Sequence, residues 1–313
     1  MHCHTTRSDG NDTPKELIDN GADLGMKAIG IVDHDIVPPE TLALDGGEIV
    51  TIQDYSYKKG LIVVPGYEFS CDTFVDDVHI CGYMMDWSDP EIAAEMDLCE
   101  KSKTDAYEEL CHRLCEIGMP LDWEKDVLNY TFPDGRKASR KPEEVQRKHI
   151  FEAIAAKGYT SSWSDAKILV RDNPKLNVRR RKIDPRAAIS MIHKCGGIAI
   201  LAHPYLIDEA LETADGAKMT REEYVSELIA SGLDGIEASY TYDKTSYKGT
   251  KTPEQIEEEV RLKYEDLLCY ISGGSDYHAD HKKNSKKTRQ IGERGISVEE
   301  FNLMFGNCFA NKK

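Results

Sequence analysis

Seven short apolar runs recur along the chain, each followed by a polar or helical stretch, and this alternation most constrains the fold. Most runs are continuous and β-branched, which is typical of strands buried on both faces. The segments between them carry helix start signals, such as the capping box Thr13-Pro14-Lys15-Glu16. This alternation predicts an α/β fold with a largely parallel sheet. The runs are residues 1–5, 27–32, 61–64, 78–83, 198–202, 234–239 and 269–273.

The stretch from residue 86 to residue 182 breaks this alternation. It contains no convincing buried strand, and its apolar residues follow helical patterns over residues 91–117 and 142–157. We therefore predict a mostly helical insertion subdomain, residues 86–182, between the fourth and fifth strands. The sheet domain would then consist of residues 1–85 and 183–313.

The balance of charge limits the kinds of partner. Acidic residues outnumber basic ones, 56 against 40, so the formal net charge is −16. A charge of this sign repels phosphate backbones and anionic bilayers, so we expect neither a stable nucleic-acid partner nor a membrane. No apolar run approaches the roughly 18 residues of a membrane helix, and no apolar signal region follows Met1. The nine cysteines are irregularly spaced, which favours reduced thiols in a cytoplasmic protein.

Nine imidazole and carboxylate side chains fall in or directly after six of the seven runs. His2 and His4 stand two residues apart in the first run, so both side chains leave the same face. In parallel α/β folds the site lies beyond the carboxyl ends of the strands, so the nine groups could converge. Nine ligands exceed the coordination number of one ion, which implies two or three cations. The candidate ligands are His2, His4, Asp9, His34, Glu68, His79, His203, Asp276 and His278.

The order of these motifs resembles the PHP family, named for polymerase and histidinol phosphatase. The resemblance runs over nearly the whole chain, from His2 to His278. It implies a distorted (β/α)7 barrel, and metal-dependent phosphoester hydrolysis on a cluster of two or three divalent ions (Mn, Zn, Fe or Mg). The motifs are His2-Cys3-His4 with Ser8-Asp9-Gly10, Asp33-His34-Asp35, Pro65-Gly66-Tyr67-Glu68, His79, Ala202-His203-Pro204 and Gly274-Ser275-Asp276-Tyr277-His278.

The resemblance also distributes the ligands among three ions, with Glu68 bridging the first and the second. Asp9 stands where some relatives have a histidine, so we expect a weaker third site or a harder ion there, such as Mn²⁺ or Mg²⁺. Asp33 and Asp35 would orient His34 and its neighbours. The implied sets are His2, His4, Glu68 and Asp276 for the first ion, Glu68, His79 and His203 for the second, and Asp9, His34 and His278 for the third.

Arg147 and His149 are the residues that the resemblance implies for substrate binding. Small stand-alone members of the family often carry an Arg-Pro-His-Ile stretch in a helical insert, and the matching stretch here is Arg147-Lys148-His149-Ile150. Arg147 would recognise a phosphate with its planar fork of donors. After His203-Pro204 some bisphosphatases continue with Gly-Arg, whereas this chain has Tyr205-Leu206-Ile207. That difference disfavours a nucleoside bisphosphate held by two arginines.

These features predict a cytoplasmic phosphatase or phosphodiesterase that acts on a small nucleotide or sugar phosphate through metal-activated hydroxide. A phosphomonoester, a 3′,5′-bisphosphate and a cyclic ribose phosphate all stay open as substrates. The sequence has neither Gly-x-Ser-x-Gly nor a glycine-rich phosphate loop, which argues against a serine hydrolase or a P-loop NTPase. Two alternatives stay open: a metal-dependent hydrolase of C–N bonds and a non-catalytic metal-binding module.

Overall fold

The computed structural model describes residues 1–71, 73, 75, 77–131, 135, 137–213, 215–283 and 287–309. The chain divides into two units. The first comprises Met1–Thr6, Gly10–Asp89 and Ile183–Lys313, and the second comprises Arg7–Asp9 and Pro90–Lys182. Within the described residues, no helix is both long enough and apolar enough to span a bilayer.

A curled mixed sheet forms the centre of the first unit. The strands in the described residues are β1 (Ala28–Ile31), β2 (Thr41–Ala43), β3 (Ile49–Thr51), β4 (Ile62–Ser70), β5 (His79–Tyr83), β6 (Ile198–Leu201), β7 (Ala210–Glu212), β8 (Lys218–Thr220), β9 (Gly235–Tyr240) and β10 (Tyr270–Gly274). Six of them make the main sheet, in the spatial order β1-β4-β5-β6-β9-β10. The pairs β2-β3 and β7-β8 form two small antiparallel ladders that the sequence patterns do not predict.

The sheet departs from the predicted parallel arrangement at β5. This strand runs antiparallel to both β4 and β6, whereas the pairs β1-β4, β6-β9 and β9-β10 are parallel. The cause lies in the connection between β4 and β5, which is residues 71–78. Parallel neighbours need a crossover of roughly a dozen residues or more, and this connection is too short for one.

The first predicted strand, residues 1–5, is reduced to two single-residue bridges. Cys3 pairs in parallel with Ile31 on one side and with Tyr277 on the other. The segment therefore lies between the two edges of the six-stranded sheet. It forms no longer ladder because the chain turns directly after it, at Thr6, whose N–H donates to the carbonyl of Asp12.

Helices accompany the strands of the first unit, and the first of them begins at the predicted capping box. Proline occupies the first position of α1 (Pro14–Asp23), α6 (Pro185–Lys194) and α8 (Pro253–Tyr264), and Thr13, Asp184 and Thr252 cap those helices with their side-chain oxygens. The first-unit helices are α1 (Pro14–Asp23), α2 (Ile52–Lys58), α6 (Pro185–Lys194), α7 (Arg221–Ala230), α8 (Pro253–Tyr264) and α9 (Val298–Phe309).

The second unit is mostly helical and has its own apolar core. Its long helices are α3 (Pro90–Glu116), α4 (Arg147–Ala156) and α5 (Trp163–Asp172). Leu110 and Leu114 of α3 and Ile150 and Ile154 of α4 belong to this core and are fully buried.

Two glycines allow the N-terminal segment to lie between the sheet edges. A Cβ at Gly30 would stand 1.8 Å from the carbonyl oxygen of Met1, and a Cβ at Gly274 would stand 2.4 Å from Cβ of His2. Real Cβ atoms do not approach so closely, so any larger residue must displace the segment. The positions of His2 and His4 therefore depend on these glycines.

We expect Gly274→Ala to lower the free energy of unfolding by about 1–3 kcal/mol, because the added methyl group overlaps His2. Urea denaturation measures the change. Gly295→Ala is the matched control, since a Cβ at that position meets nothing within 4 Å. Equal stabilities for the two variants would contradict the tight approach of the N-terminal segment.

Candidate metal centre

Local geometry brings the predicted ligands of the first unit to one end of the sheet. His2 and His4 flank Cys3, whose side chain belongs to the apolar core, so the two imidazoles share the opposite face. His34 follows β1 and forms a parallel bridge with Glu68, which lies near the end of β4. His203 lies two residues beyond the end of β6, and Asp276 and His278 follow β10.

Glu68 is the centre of this arrangement. Its side chain is fully buried, and both of its oxygens face imidazole nitrogens. Oε2 lies 3.4 Å from His2 Nε2, 3.3 Å from His4 Nε2 and 2.9 Å from His34 Nδ1. Oε1 lies 2.9 Å from His79 Nδ1 and 3.2 Å from His203 Nε2. One carboxylate thus touches five histidines from four separate stretches of the chain.

Asp276 divides its two oxygens between different environments. Oδ1 lies 3.5 Å from His2 Nε2 and 3.1 Å from His4 Nε2. Oδ2 instead accepts hydrogen bonds from the Tyr240 hydroxyl at 2.6 Å and from Arg289 Nη1 at 2.7 Å. Tyr240 and Arg289 therefore fix the carboxylate so that Oδ1 faces the imidazoles.

The surrounding charges keep both carboxylates ionised. Burial opposes ionisation of Glu68, but His34 and the neighbouring imidazoles outweigh it and hold the pKa of Glu68 well below its usual range. Burial likewise opposes ionisation of Asp276. There the Arg289 guanidinium and His278 hold the pKa of the carboxyl well below its ordinary value.

The imidazoles of His2 and His4 differ in their tendency to bind a proton. Burial, together with the nearby rings of His278 and His34, lowers the pKa of His4 to about 3. His4 is therefore neutral at pH 7 and can offer a lone pair. Burial also opposes charge on His2, but nearby carboxylates, led by Glu237, raise the pKa of His2 well above its ordinary value.

The donor set fits divalent cations. The Nε2 atoms of His2 and His4 stand only 3.0 Å apart. Within the described part of the chain, Glu68 Oε2 makes no hydrogen bond of suitable angle despite the imidazole nitrogens beside it. Ligand atoms that face one another in this way are those expected around a cation. Among the described residues of the first unit, three sets have ligand atoms within 4.8 Å of one another: His2, His4 and Asp276; His2, Glu68 and Cys81; and His34, Glu68 and His79.

Eight of the nine predicted ligands thus lie in the first unit. The ninth, Asp9, belongs to the second unit, where Lys148 Nζ stands 3.6 Å from its Oδ2. Asp33 accepts hydrogen bonds from the backbone and the hydroxyl of Thr5, both at 2.7 Å. Asp35 accepts one from the Ser70 backbone at 2.9 Å. The two aspartates therefore tie the loop after β1 to the segment that carries His4 and to the end of β4, which carries Glu68.

The predicted substrate residues lie in the second unit at the start of α4. Arg147 is the first residue of the helix, and its Nη2 donates to the carbonyl of Val178 at 3.5 Å. His149 is buried, and its Nδ1 accepts the N–H of Gln146 at 3.1 Å, so the ring caps the helix. A role for either residue at a substrate stays a prediction.

Sequence reasoning missed Glu237, Tyr240 and Arg289. Glu237 and Tyr240 lie in β9, where every residue is buried. A glutamate inside an otherwise uncharged strand is the signal that could have singled it out, because carboxylates are rarely buried without partners. No comparable pattern marks Arg289, which lies in a polar loop beyond the predicted motifs.

Three residues of the site have left-handed backbone. The φ angle is 52° at Asp35, 33° at His203 and 49° at Asp276. This conformation is unfavourable for residues with a Cβ, and it recurs at functional sites where surrounding contacts enforce it. At His203 the cost is increased by Pro204, because a residue before proline prefers extended backbone.

The fold is α/β with a mixed sheet, and it holds a buried cluster of imidazoles and carboxylates. This combination is typical of a protein with a site for divalent cations. A family model described as the PHP domain matches residues 1–294. The chain therefore belongs to the PHP family of phosphoesterases, as its motif order predicts.

Several relatives match most of the chain. It is 26% identical over 286 residues to a phosphoribosyl 1,2-cyclic phosphate 1,2-diphosphodiesterase of Eggerthella lenta, covering 89% of this chain and 93% of the relative. It is 23% identical to a 3′,5′-nucleoside bisphosphate phosphatase of Chromobacterium violaceum, covering 89% and 86%. A 5′-3′ exoribonuclease of Haemophilus influenzae is 28% identical over 205 residues, covering 65% and 68%.

A solved structure supports the fold. A protein of Bifidobacterium adolescentis, described as a metal-dependent phosphoesterase, superimposes with a TM-score of 0.69. The match covers 97% of this chain and 94% of that chain, at 23% sequence identity.

The strained backbone at His203 leads to a stability prediction. Both His203→Gly and His203→Ala remove the imidazole, but glycine adopts left-handed backbone without the Cβ penalty. We expect the glycine variant to have the higher free energy of unfolding, by about 0.5–1 kcal/mol. Chemical denaturation compares the two. Ala202→Gly is the control, because Ala202 lacks left-handed backbone and glycine should destabilise there. A higher free energy of unfolding for His203→Ala than for His203→Gly would contradict backbone strain at this position.

Proposed function

We propose that this protein hydrolyses a phosphoester of a small nucleotide or sugar phosphate, using two or three divalent cations. The observation that carries the proposal is Glu68, a buried carboxylate that contacts imidazoles on both of its oxygens. A carboxylate with ligand-type neighbours on each oxygen is suited to bridge two cations.

We assign the cations to the sets that the family resemblance implies. His2, His4 and Asp276 would hold the first ion, and His79 and His203 the second, with Glu68 shared by both. His34, His278 and Asp9 would hold a third, although His34 Nδ1 also stands 2.9 Å from Glu68 Oε2. When bound, such cations supply Lewis acidity to the phosphoryl group and to the attacking water.

Residues that hydrogen-bond to the proposed ligands hold them in position. Arg289 and Tyr240 hold Asp276 through Oδ2 and leave Oδ1 toward the imidazoles. Because Arg289 also donates through Nε to Asp280 at 2.9 Å, its guanidinium is fixed at two points. These bonds reduce the reorganisation that the site must undergo when substrate binds.

We further propose that the six-stranded sheet and the segment at Cys3 make up a distorted (β/α)7 barrel. The bridges from Cys3 to Ile31 and Tyr277 support this, because they connect the two outer strands through one segment. Residues 86–182 would then be a helical insertion that supplies substrate contacts. Arg147 and His149 are its candidate substrate residues.

The substrate class follows from the relatives together with the charge. Two relatives that match most of the chain act on a cyclic ribose phosphate and on a nucleoside bisphosphate, both small molecules. Exoribonucleases are also among the relatives, but the net charge of −16 works against long polyanions. We therefore favour a small phosphorylated metabolite over RNA.

A substrate panel tests this proposal. It contains a phosphomonoester, a cyclic ribose phosphate, a nucleoside 3′,5′-bisphosphate, a 5′-phosphorylated RNA and a set of amides, each assayed with Mn²⁺, Zn²⁺, Fe²⁺ and Mg²⁺. Release of phosphate, or opening of the cyclic ester, is the expected result. Amide hydrolysis alone would identify a C–N hydrolase, and metal binding without any turnover would identify a non-catalytic module.

Glu68→Gln should remove at least one cation per chain and lower turnover by on the order of a hundredfold or more, because the amide cannot bridge two cations. Elemental analysis gives the metal content, and initial rates on the best substrate give the turnover. Glu265→Gln removes the same charge at an exposed position and is the control. Near-normal metal content and activity in Glu68→Gln would refute the bridging role.

Arg147→Ala should raise KM by about tenfold to a hundredfold, since a charge-assisted hydrogen bond to phosphate is worth about 1.5–3 kcal/mol. The metal content should stay unchanged, which separates substrate binding from loss of the centre. Arg171→Ala is the matched control, because Arg171 is an exposed arginine of the same unit that pairs with Asp172. A wild-type KM in both variants would show that Arg147 does not bind the substrate phosphate and serves only the structure of its helix.

A further inference from the structure

Glu237 connects two parts of the metal centre that are far apart in sequence. It lies in β9 and has no exposed side-chain surface. Its Oε1 stands 3.0 Å from Nδ1 of His2, in the N-terminal segment. Its Oε2 accepts the backbone N–H of His203, two residues beyond the end of β6, at 2.9 Å. The two oxygens therefore serve two different donors.

We propose that Glu237 is a positioning residue that prepares one ligand for each of two cations. This inference rests on the proposed function, in which His2 holds the first cation and His203 the second. A carboxylate oxygen accepts hydrogen bonds, so the contact of Glu237 Oε1 with His2 Nδ1 places a proton of His2 on Nδ1. When a cation is bound, the lone pair of His2 would then be on Nε2, the atom that faces Glu68 and Asp276.

At His203 the same carboxylate acts on the backbone. His203 has φ 33° and ψ 57°, left-handed values that a residue before proline does not favour. The hydrogen bond from its N–H to a buried carboxylate compensates for this conformation. It also orients the ring, whose Nε2 stands 3.2 Å from Glu68 Oε1. Glu237 thus fixes a tautomer on one ligand and a backbone conformation on the other.

Glu237→Gln tests the inference, because the amide retains the size of the side chain but keeps only one acceptor oxygen. Either His2 or His203 then loses its acceptor. We expect Zn²⁺ affinity, measured by competition with a chromophoric chelator, to fall about tenfold to a hundredfold. Glu257→Gln, on helix α8, removes the same charge and should bind Zn²⁺ as the wild type does. Wild-type Zn²⁺ affinity in a folded Glu237→Gln protein would overturn the proposal.

A second measurement uses the unchanged protein and does not depend on the folding of a variant. Long-range ¹H–¹⁵N spectra of the Zn²⁺-loaded wild type report the tautomer of each histidine, and His2→Gln assigns the His2 signal. A proton on Nδ1 of His2 is expected, and a proton on Nε2 would overturn the proposal. Failure of the proposed function would look different: the wild type would neither bind Zn²⁺ nor hydrolyse any phosphoester.

Discussion

The structure depends on a carboxylate buried among imidazoles. Glu68 has no exposed surface, yet its pKa lies well below the ordinary value because the surrounding histidines stabilise its charge. An isolated buried carboxylate would be costly, so the strands and loops around it must keep their nitrogens within reach. Five histidines satisfy this requirement, and they come from the N-terminal segment, the loop after β1, the start of β5 and the end of β6.

The N-terminal segment shows how closely site and fold are linked. It carries His2 and His4, and it also lies between the two edges of the main sheet through Cys3. Alternating side chains explain the double role, because Cys3 packs into the core while its neighbours face the site. Gly30 and Gly274 leave room for this backbone on either side. A change in the spacing of the two sheet edges would therefore displace His2 and His4 at the same time.

Much of the candidate centre could be predicted from sequence, but the direction of β5 could not. The rule that ligands gather at the carboxyl ends of parallel strands places His34, Glu68, His203 and Asp276 correctly at one end of the sheet. His79 is the first residue of β5, so a parallel β5 would have put it at the opposite end. It reaches Glu68 because β5 is antiparallel, which pairs Ser70 with His79 and Glu68 with Cys81. Strand direction depends on the length of the connection, which the periodicity of apolar residues does not reveal. Glu237, Tyr240 and Arg289, which hold the ligands in position, belong to none of the predicted motifs.

The balance of buried charge links cation binding to stability. Glu68, Asp276 and Glu237 bring three carboxylates into one buried cluster, and Arg289 is the guanidinium that pairs with one of them. The imidazole of His4, neutral at pH 7, supplies a lone pair rather than positive charge, so divalent cations bound here would add positive charge to the cluster. Cation binding should therefore stabilise the folded chain as well as equip it for hydrolysis, because the unfolded chain offers no preformed set of ligands. The stability of the fold should therefore depend on whether the cluster has bound its cations.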